Sequence, residues 1–310
     1  MISILLPTFN RVESLKLQVQ NILDSSVLDN FSLTIVNDGS NDGTQEYLDS
    51  ISDKSNIRII HNDKNLGYSK TLIKCLSLCS TEYMLWLTDD DNFHFHQFNL
   101  LKQFVNLNKA DFVSCEFHSN VIYRMNHRNA EIGFKGIWNA ARHAPGLLFK
   151  KSSFIGFEKD ILDGVDENDS VAFFYPQIYL LFLAKAAGKK LMTSSIVIGS
   201  NRSKSISTNA KDQNGNSYLS FHNSVKRFDD FKKFYNRFYA STCSKEILEI
   251  IKRHDFSLAS YIRRGIINDY KDLEEDFLKS LIAAGISKKS IKYLPSVIRI
   301  LFKKISRRIQ

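Results

Sequence analysis

The chain has 310 residues, and its hydrophobic fraction of 43% and charged fraction of 24% are typical of a soluble globular protein with a sizeable core. Residues 288–310 contribute +8 to the formal net charge of +9, because they hold eight basic residues and no acidic one. The nearly neutral remainder argues against a general nucleic-acid-binding surface, so we expect no nucleic-acid partner.

The cysteines and the amino terminus indicate a cytoplasmic protein. The four cysteines form neither a CxxC pair nor a metal-binding spacing, so we expect free thiols in a reducing compartment. Pro7 interrupts the apolar run at the amino terminus, which also lacks the basic region of a signal peptide and is therefore predicted to be a strand. No stretch reaches the ~18 consecutive apolar residues that a membrane-spanning helix needs.

Strands and helices are predicted to alternate over residues 1–117. Short apolar runs predict strands over Ile2–Leu6, Phe31–Val36, Ile57–Ile60, Tyr83–Leu87 and Phe112–Phe117. Apolar residues at helical spacing predict helices over Arg11–Ser25 (capped by Asn10), Thr44–Ile51, Ser69–Cys79 and Phe95–Asn108. This pattern predicts an α/β fold with a mostly parallel sheet flanked by helices.

The alternation ends after residue 117. Glycines among short apolar pieces predict loops and short strands over residues 118–160, followed by an acidic turn and one helix over Val171–Ala187. A strand over Leu191–Ile198 leads into a polar segment of mobile-loop composition, and the pattern is helical from Tyr218 onward. We therefore expect three regions, 1–117, 118–217 and 218–310.

Polar residues follow four successive strands of the predicted sheet. They are Pro7, Thr8, Asn10 and Arg11 after the first strand; Asp38 and Gly39 after the second; Asn65 and then Lys70 after the third; and Asp89, Asp90 and Asp91 after the fourth. Ligands of parallel sheets bind outside the carboxyl ends of the strands. Three adjacent carboxylates require a cation or strong donors, and Mg²⁺ or Mn²⁺ held there would neutralise a diphosphate. The set predicts a nucleotide site.

The same residues carry a resemblance to a known family. The segments Ile4–Arg11, Ile35–Thr44, Asn65–Gly67 and Leu85–Asp91 closely resemble the family 2 glycosyltransferases of GT-A fold. The resemblance implies inverting transfer of a sugar from a nucleotide-diphosphate sugar, a UDP-sugar being favoured, to a hydroxyl. It also implies that Thr8 and Asp38 contact the nucleoside, and that the acidic residues form a DXD-like motif. In the family motif, Thr88 occupies the position where the first Asp usually stands. The resemblance then implies that Asp90 faces the ribose or the metal, and that Asp91, together with Asp89, binds Mg²⁺ or Mn²⁺.

The chain departs from the family pattern at two places. Leu72 stands where many members have an arginine, and Lys70 or Lys74 is the candidate substitute. The helix beginning at Val171 lacks the Glu-Asp pair of many members, so the general base is sought among Glu167, Asp166 and Asp169 just before it, with Glu167 favoured. Each of these acids is equally compatible with a solvated helix cap. Arg202 and Lys204 are the candidate partners of the leaving diphosphate.

The basic carboxyl-terminal segment predicts a membrane contact. Residues 290–309 place apolar side chains at spacings of three and four among lysines and arginines, which is typical of a helix lying on an anionic membrane surface. A helix packed on the body of the protein is the alternative. The membrane interpretation favours a glycan or lipid-linked glycan acceptor, bacterial surface-polysaccharide synthesis, and a peripheral position at the inner face of the plasma membrane. Alternative functions are a nucleotidyltransferase and a non-catalytic nucleotide-sugar-binding protein.

Overall fold

The computed structural model describes residues 2–54, 56–118, 128–202, 215, 217, 218 and 220–254. The strands in this part of the chain are β1 (Ile2–Thr8), β2 (Phe31–Asn37), β3 (Ile57–His61), β4 (Tyr83–Trp86), β5 (Asp91–Phe93), β6 (Phe112–His118), β7 (Ala130–Glu131), β8 (Leu147–Lys150) and β9 (Leu191–Asn201). The α-helices are α1 (Val12–Leu23), α2 (Thr44–Asp49), α3 (Tyr68–Leu78), α4 (Phe98–Asn108), α5 (Phe134–Ala141), α6 (Lys151–Phe154), α7 (Glu158–Asp166), α8 (Ser170–Phe174), α9 (Pro176–Ala186) and α10 (Phe221–Thr242). Short 3₁₀ turns cover Ser26–Asp29, Phe95–Gln97 and Ile155–Phe157.

The strands form one sheet in the order β3-β2-β1-β4-β8-β6-β9-β5, with β7 paired to β9. The first four strands in this order are parallel, as are β6 and β9. Strand β8 runs antiparallel to both β4 and β6, while β5 and β7 run antiparallel to β9. Strands β4 and β6 therefore point the same way, and their carboxyl ends lie at one edge of the sheet. The predicted α/β fold with a mostly parallel sheet flanked by helices is confirmed.

A hydrophobic core fixes the faces of this sheet. Side chains alternate along each strand, so every second residue of β1 enters the core cluster with residues of α1 and α4. Burial of this cluster is what holds the strand register, because a one-residue slip would turn its apolar side chains to the opposite face. The core members from these three elements are Ile2, Ile4, Leu6, Leu15, Val19, Ile22, Phe98, Leu101, Phe104 and Val105.

The structure corrects three of the predicted elements. Asn10 does not cap α1: Arg11 is the N-cap residue, and the Asp42 carboxylate accepts the hydrogen bond from the amide of Val12. Residues 118–160 are not only loops and short strands, because α5 and α6 lie there and α7 begins there. The predicted helix over Val171–Ala187 is two helices, because the Pro176 ring and missing N–H interrupt helical hydrogen bonding and the preceding residue leaves helical geometry.

Contacts within the chain divide it into two units. The first comprises residues 1–167 and 174–206, and the second comprises 168–173 and 207–310. In the second unit, Asp230 accepts hydrogen bonds from the Ser170 amide at 2.9 Å and the Lys226 ammonium at 2.5 Å. The His254 ring stacks on Phe228 with a centroid distance of 4.2 Å. The predicted boundaries at 117 and 217 stay a prediction.

Two sequence predictions fall outside the described residues. These are the role of Lys204 and the amphipathic helix over 290–309. In the part of the chain that the structure does describe, no helix combines the length and the apolar character needed to cross a membrane.

Candidate functional site

The carboxyl ends of β1 and β4 bring the first two acids of the triplet against Thr8 and Arg11. The Thr8 hydroxyl donates to Asp89 Oδ2 at 2.6 Å, and Arg11 Nη1 bridges Asp89 Oδ1 at 3.1 Å and Asp90 Oδ2 at 2.6 Å. Asp89 is buried, which raises its pKa, although the Thr8 hydroxyl and the Arg11 charge oppose that rise. The arrangement gathers negative charge at the sheet edge with one arginine as its counter-ion.

The third acid is held separately, at the start of β5. Asp91 accepts hydrogen bonds from the Thr88 hydroxyl at 2.6 Å and the Asn201 amide at 3.0 Å. The side chain is 3% exposed, and this burial raises the pKa of Asp91 to about 6. The donors to its carboxylate are neutral groups, so the negative charge is incompletely compensated. Short strand β5 was missed by sequence reasoning because three residues show no periodicity.

These residues fit a divalent cation. Asn201 Oδ1 is buried and has no hydrogen-bond partner in the described part of the chain, and it belongs to the amide that holds Asp91. A carboxylate and an amide oxygen are donors that Mg²⁺ and Mn²⁺ prefer. Within the described ranges, no group of three or more His, Cys, Asp or Glu side chains could hold a metal ion. A cation at Asp91 would therefore need oxygen atoms from its ligand as well.

Asp38, after β2, holds the turn after β3. Its Oδ1 accepts from Asn62 Nδ2 at 2.7 Å and from the Leu66 amide at 2.9 Å, while its Oδ2 accepts from the Gly67 amide at 3.1 Å. A carboxylate has about four acceptor positions, so one is left for a ligand. The side chain of Asn65 also accepts from the Gly67 amide, at 2.8 Å. The structure thus joins two of the sequence-predicted strand ends through Asp38.

Gly39 is required where these two turns meet. Its φ is +73°, and a Cβ atom there would lie 2.5 Å from the backbone nitrogen of Asn65 and 2.5 Å from the carbonyl carbon of Lys64. Neither atom is at the end of a flexible side chain, so any larger residue would separate the two turns. Gly39 thus allows two backbone segments of the protein to approach each other.

The loop after β1 is fastened to the loop after β2. Asn10 has a φ of +51°, its amide donates to Ser40 Oγ at 2.9 Å, and its side-chain oxygen accepts from the Asn41 amide at 2.8 Å. Pro7 lies in β1 opposite Val36 of β2. These contacts set the geometry of the loop that carries Arg11.

The structure brings together only part of the remaining set, which consists of the predicted nucleotide-site residue Lys70 and the three candidate bases. Lys70 forms a 3.0 Å ion pair with Asp166. Glu167 is exposed at the carboxyl end of α7. Asp169 belongs to the second unit, where its carboxylate accepts from the Val171 amide at 2.6 Å and so caps α8. Leu72, which replaces the arginine of many family members, is buried, and Lys74 donates instead to Asn62.

Arg202 is held against the main chain of Asp91 by contacts that the sequence did not predict. Its Nη2 donates to Gln18 Oε1 at 2.7 Å and to the main-chain oxygen of Asp91 at 2.9 Å, and its Nε donates to Asn92 Oδ1 at 3.2 Å. Gln18 is 0% exposed on the apolar side of α1. A polar residue in the middle of an apolar helix face, next to Val19, was the available signal, because buried polar groups require partners.

The chain is similar to known proteins both in sequence and in fold. The model of the family described as glycosyl transferase family 2 matches residues 3–161. The chain is 25% identical over 117 residues to a cholesterol galactosyltransferase of Borreliella burgdorferi, a match covering 38% of this chain and 32% of that protein. The chain thus matches about a third of the length of this curated relative.

Solved structures share the fold at low sequence identity. A crystal structure of S. aureus TarS 1-349 in complex with UDP-GlcNAc has a TM-score of 0.60 and 15% identity, covering 97% of this chain and 83% of that one. A mannosyltransferase, PcManGT from Pyrobaculum calidifontis, in complex with GDP-Man and Mn²⁺ has a TM-score of 0.51 and 12% identity, covering 97% and 86%. At these identities the likeness concerns the fold.

Proposed function

Because the chain belongs to glycosyl transferase family 2, we propose that it transfers a sugar from a nucleotide-diphosphate sugar to a hydroxyl group, with inversion and with help from Mg²⁺ or Mn²⁺. The observation that carries this proposal is the set of contacts at one sheet edge, in which Arg11 bridges Asp89 and Asp90 beside the buried Asp91. Such an edge combines anionic ligands for a cation with a cationic side chain for a phosphate.

The donor is proposed to bind across the strand ends, with its nucleoside near Thr8 and Asp38. The loop residues Pro7, Asn10, Gly39, Asn65 and Lys70 are the proposed surroundings of the nucleotide. A UDP-sugar is favoured because TarS is seen with UDP-GlcNAc. A GDP-sugar is the alternative donor, because PcManGT is seen with GDP-Man.

The cation is proposed to bind at Asp91 and Asp89, where it would neutralise the diphosphate. Arg202, whose guanidinium lies 2.9 Å from the main-chain oxygen of Asp91, is the proposed cationic partner of the leaving group. Both the cation and Arg202 would stabilise the negative charge that develops on the diphosphate as the bond between it and the sugar breaks.

The acceptor is proposed to be a glycan or a lipid-linked glycan. The Borreliella burgdorferi relative is a cholesterol galactosyltransferase, and cholesterol is a lipid that carries a hydroxyl group. The basic residues of 290–309 favour an anionic membrane surface as a partner. We accordingly propose a peripheral enzyme at the cytoplasmic face of a bacterial plasma membrane that acts in surface-polysaccharide synthesis.

The test is release of the nucleoside diphosphate. We expect UDP release from UDP-galactose or UDP-GlcNAc with Mn²⁺, and a fall of about 100-fold or more in Asp91→Asn, because the cation and its charge stabilisation are lost. Asp53→Asn, which removes an exposed acid, is the matched control and should retain wild-type turnover.

Three results would contradict the proposal. Binding of UDP in a thermal-shift assay without turnover of UDP-galactose, UDP-GlcNAc or GDP-mannose would indicate a non-catalytic nucleotide-sugar-binding protein. Formation of pyrophosphate from a nucleoside triphosphate and a sugar phosphate would indicate a nucleotidyltransferase. Equal turnover by wild type and Asp91→Asn would show that Asp91 is not a ligand of the catalytic metal ion.

A further inference from the structure

Two titratable side chains at the end of β6 are not used by the site described above. His118 Nε2 lies 2.9 Å from Glu116 Oε1. Glu116 is 9% exposed, whereas the His118 side chain is 48% exposed. A buried carboxylate is costly without a partner, and the imidazole is the partner that the structure shows for it.

The sheet register places this pair beside the acidic triplet. Leu147, the first residue of β8, pairs with Trp86 of β4 on one side and with Ser114 of β6 on the other. Past this row, the segment that follows β4 leads to Asp89, and β6 continues to Glu116 and His118. Neighbouring strands are about 4.8 Å apart, so β4 and β6 are about 10 Å apart where β8 begins between them.

A second strand leads to the same place. His118 pairs with Ser200 of β9, and the next residue of β9 is Asn201, whose amide holds Asp91. Ser200 also pairs with Asn92, the residue that follows Asp91 in β5. His118 is therefore two strands from the acid that is the proposed cation ligand, at the same edge of the sheet.

The strand pairing is irregular at Glu116. Cys115 pairs with Ser194 but Glu116 pairs with Val197, so extra residues of β9 are accommodated at this point. Such irregularities in sheets re-aim side chains and are frequent next to active sites. Glu116 and His118, two residues apart, keep to one face of β6, as their hydrogen bond requires.

We infer that His118, oriented by Glu116, is the base that takes the proton of the acceptor hydroxyl; this inference rests on the proposed glycosyl transfer. In that step the acceptor O–H bond breaks and its proton passes to a ring nitrogen of His118. The acceptor oxygen forms the new bond to the anomeric carbon, and the bond from that carbon to the diphosphate breaks, with its electron pair leaving on the diphosphate.

The hydrogen bond to Glu116 defines the division of roles. With Nε2–H donating to Glu116, Nδ1 carries the lone pair that accepts the proton. The carboxylate fixes the tautomer and stabilises the imidazolium that forms, so Glu116 is a positioning residue. Glu167, Asp166 and Asp169 remain the sequence-predicted alternatives for the base.

The experiment measures UDP release from the nucleotide sugar that wild type turns over, with Mn²⁺, in His118→Ala and His118→Gln. We expect a fall of about 100-fold or more in both variants, with UDP affinity and melting temperature unchanged. Added imidazole should restore part of the activity of His118→Ala. Glu116→Gln should lose activity and gain nothing from added imidazole, because the His118 ring is still in place in this variant. His96→Gln, which removes another exposed histidine, is the control and should turn over like wild type.

The outcomes separate this inference from the proposed function. Wild-type turnover with full activity in both His118 variants would overturn the role of His118. The role would equally be overturned if the His118 variants lost activity, bound UDP more weakly or melted at a lower temperature, and were not rescued by imidazole. That result would show a structural role for His118. Full activity in His118→Ala with loss in Glu167→Gln would assign the base to Glu167. Absence of turnover in wild type itself would overturn both proposals.

Discussion

At the scale of single residues, Asp91 is the carboxylate whose environment is least compatible with its charge. Burial raises its pKa to about 6 from an ordinary 3.8, and the donors to its oxygens are a hydroxyl and an amide. Asp89 is equally buried, but Arg11 compensates it directly. The difference between these two neighbours indicates where an added cation would stabilise the protein most.

The raised pKa of Asp91 has a predictable effect on stability. In the unfolded chain this group ionises near pH 3.8, whereas in the folded protein it keeps its proton up to about pH 6. Its contribution to the free energy of unfolding is therefore present below pH 3.8 and is lost as the pH rises to about 6. Without divalent cations, Asp91→Asn should be more stable than wild type at pH 7.5, by on the order of 2 kcal/mol, and the gain should shrink toward pH 4.

Urea unfolding at the two pH values measures this difference, with Asp53→Asn as the control for loss of a surface charge. Mn²⁺ should narrow the gap at pH 7.5, because it stabilises only the wild type. An equal stability difference at both pH values would mean that the charge of Asp91 is not the cause.

Residue types at strand ends were predictable from the sequence, but their partners were not. Thr8, Arg11, Asp89 and Asp90 were identified as site residues, and the structure brings them together. Gln18 and Asn201 were missed because each acts through one contact with a residue over 100 positions away in the chain. Only the pairing of β5 with β9 and the packing of α1 create those contacts.

At the scale of elements, Gly199 of β9 permits a close approach between the backbones of β9 and β5. A Cβ atom there would lie 2.5 Å from the main-chain oxygen of Asn92 and 3.2 Å from the Phe117 ring. Gly199→Ala should therefore push β5 away from β9 and displace Asp91. We expect a loss of about 1–3 kcal/mol in unfolding free energy and weaker binding of UDP with Mn²⁺.

Thermal melting and UDP titration of this variant provide the measurement. Gly156→Ala is the matched control, because the Cβ position there meets no described residue within 4 Å apart from its neighbours along the chain. Wild-type UDP affinity in Gly199→Ala would show that β5 does not position Asp91. A glycine inside a strand often marks such an approach, so the sequence did contain a signal at this position.

The helices and strands of residues 1–117 were largely predictable because each has a strong apolar period and a clear polar end. The later part was harder for physical reasons. Strands β7 and β8 have two and four residues, too few to show a period. Pro176 lies inside the single helix predicted over Val171–Ala187, whereas in the structure it begins α9. Local pattern also cannot show that β8 runs antiparallel between β4 and β6, since this depends on tertiary packing.

At the scale of the whole molecule, the charge is divided between a nearly neutral body and the basic segment 288–310. We predict that the full chain floats with vesicles containing phosphatidylserine and that a chain ending at residue 287 does not, because the truncation removes eight basic residues. The neutral control is a vesicle of phosphatidylcholine alone, to which both chains should bind weakly. Equal flotation of the two chains on anionic vesicles would refute a membrane role for this segment.

The placement of β8 has a consequence for how the protein tolerates change. Its first residue, Leu147, pairs with both β4 and β6, so the interval between the acidic triplet and the Glu116–His118 pair is set by backbone hydrogen bonds. Substitutions of surface side chains leave that interval unaltered. If these are the reacting groups, recognition of new acceptors can diversify through side chains and loops while the spacing of the two proposed groups stays the same.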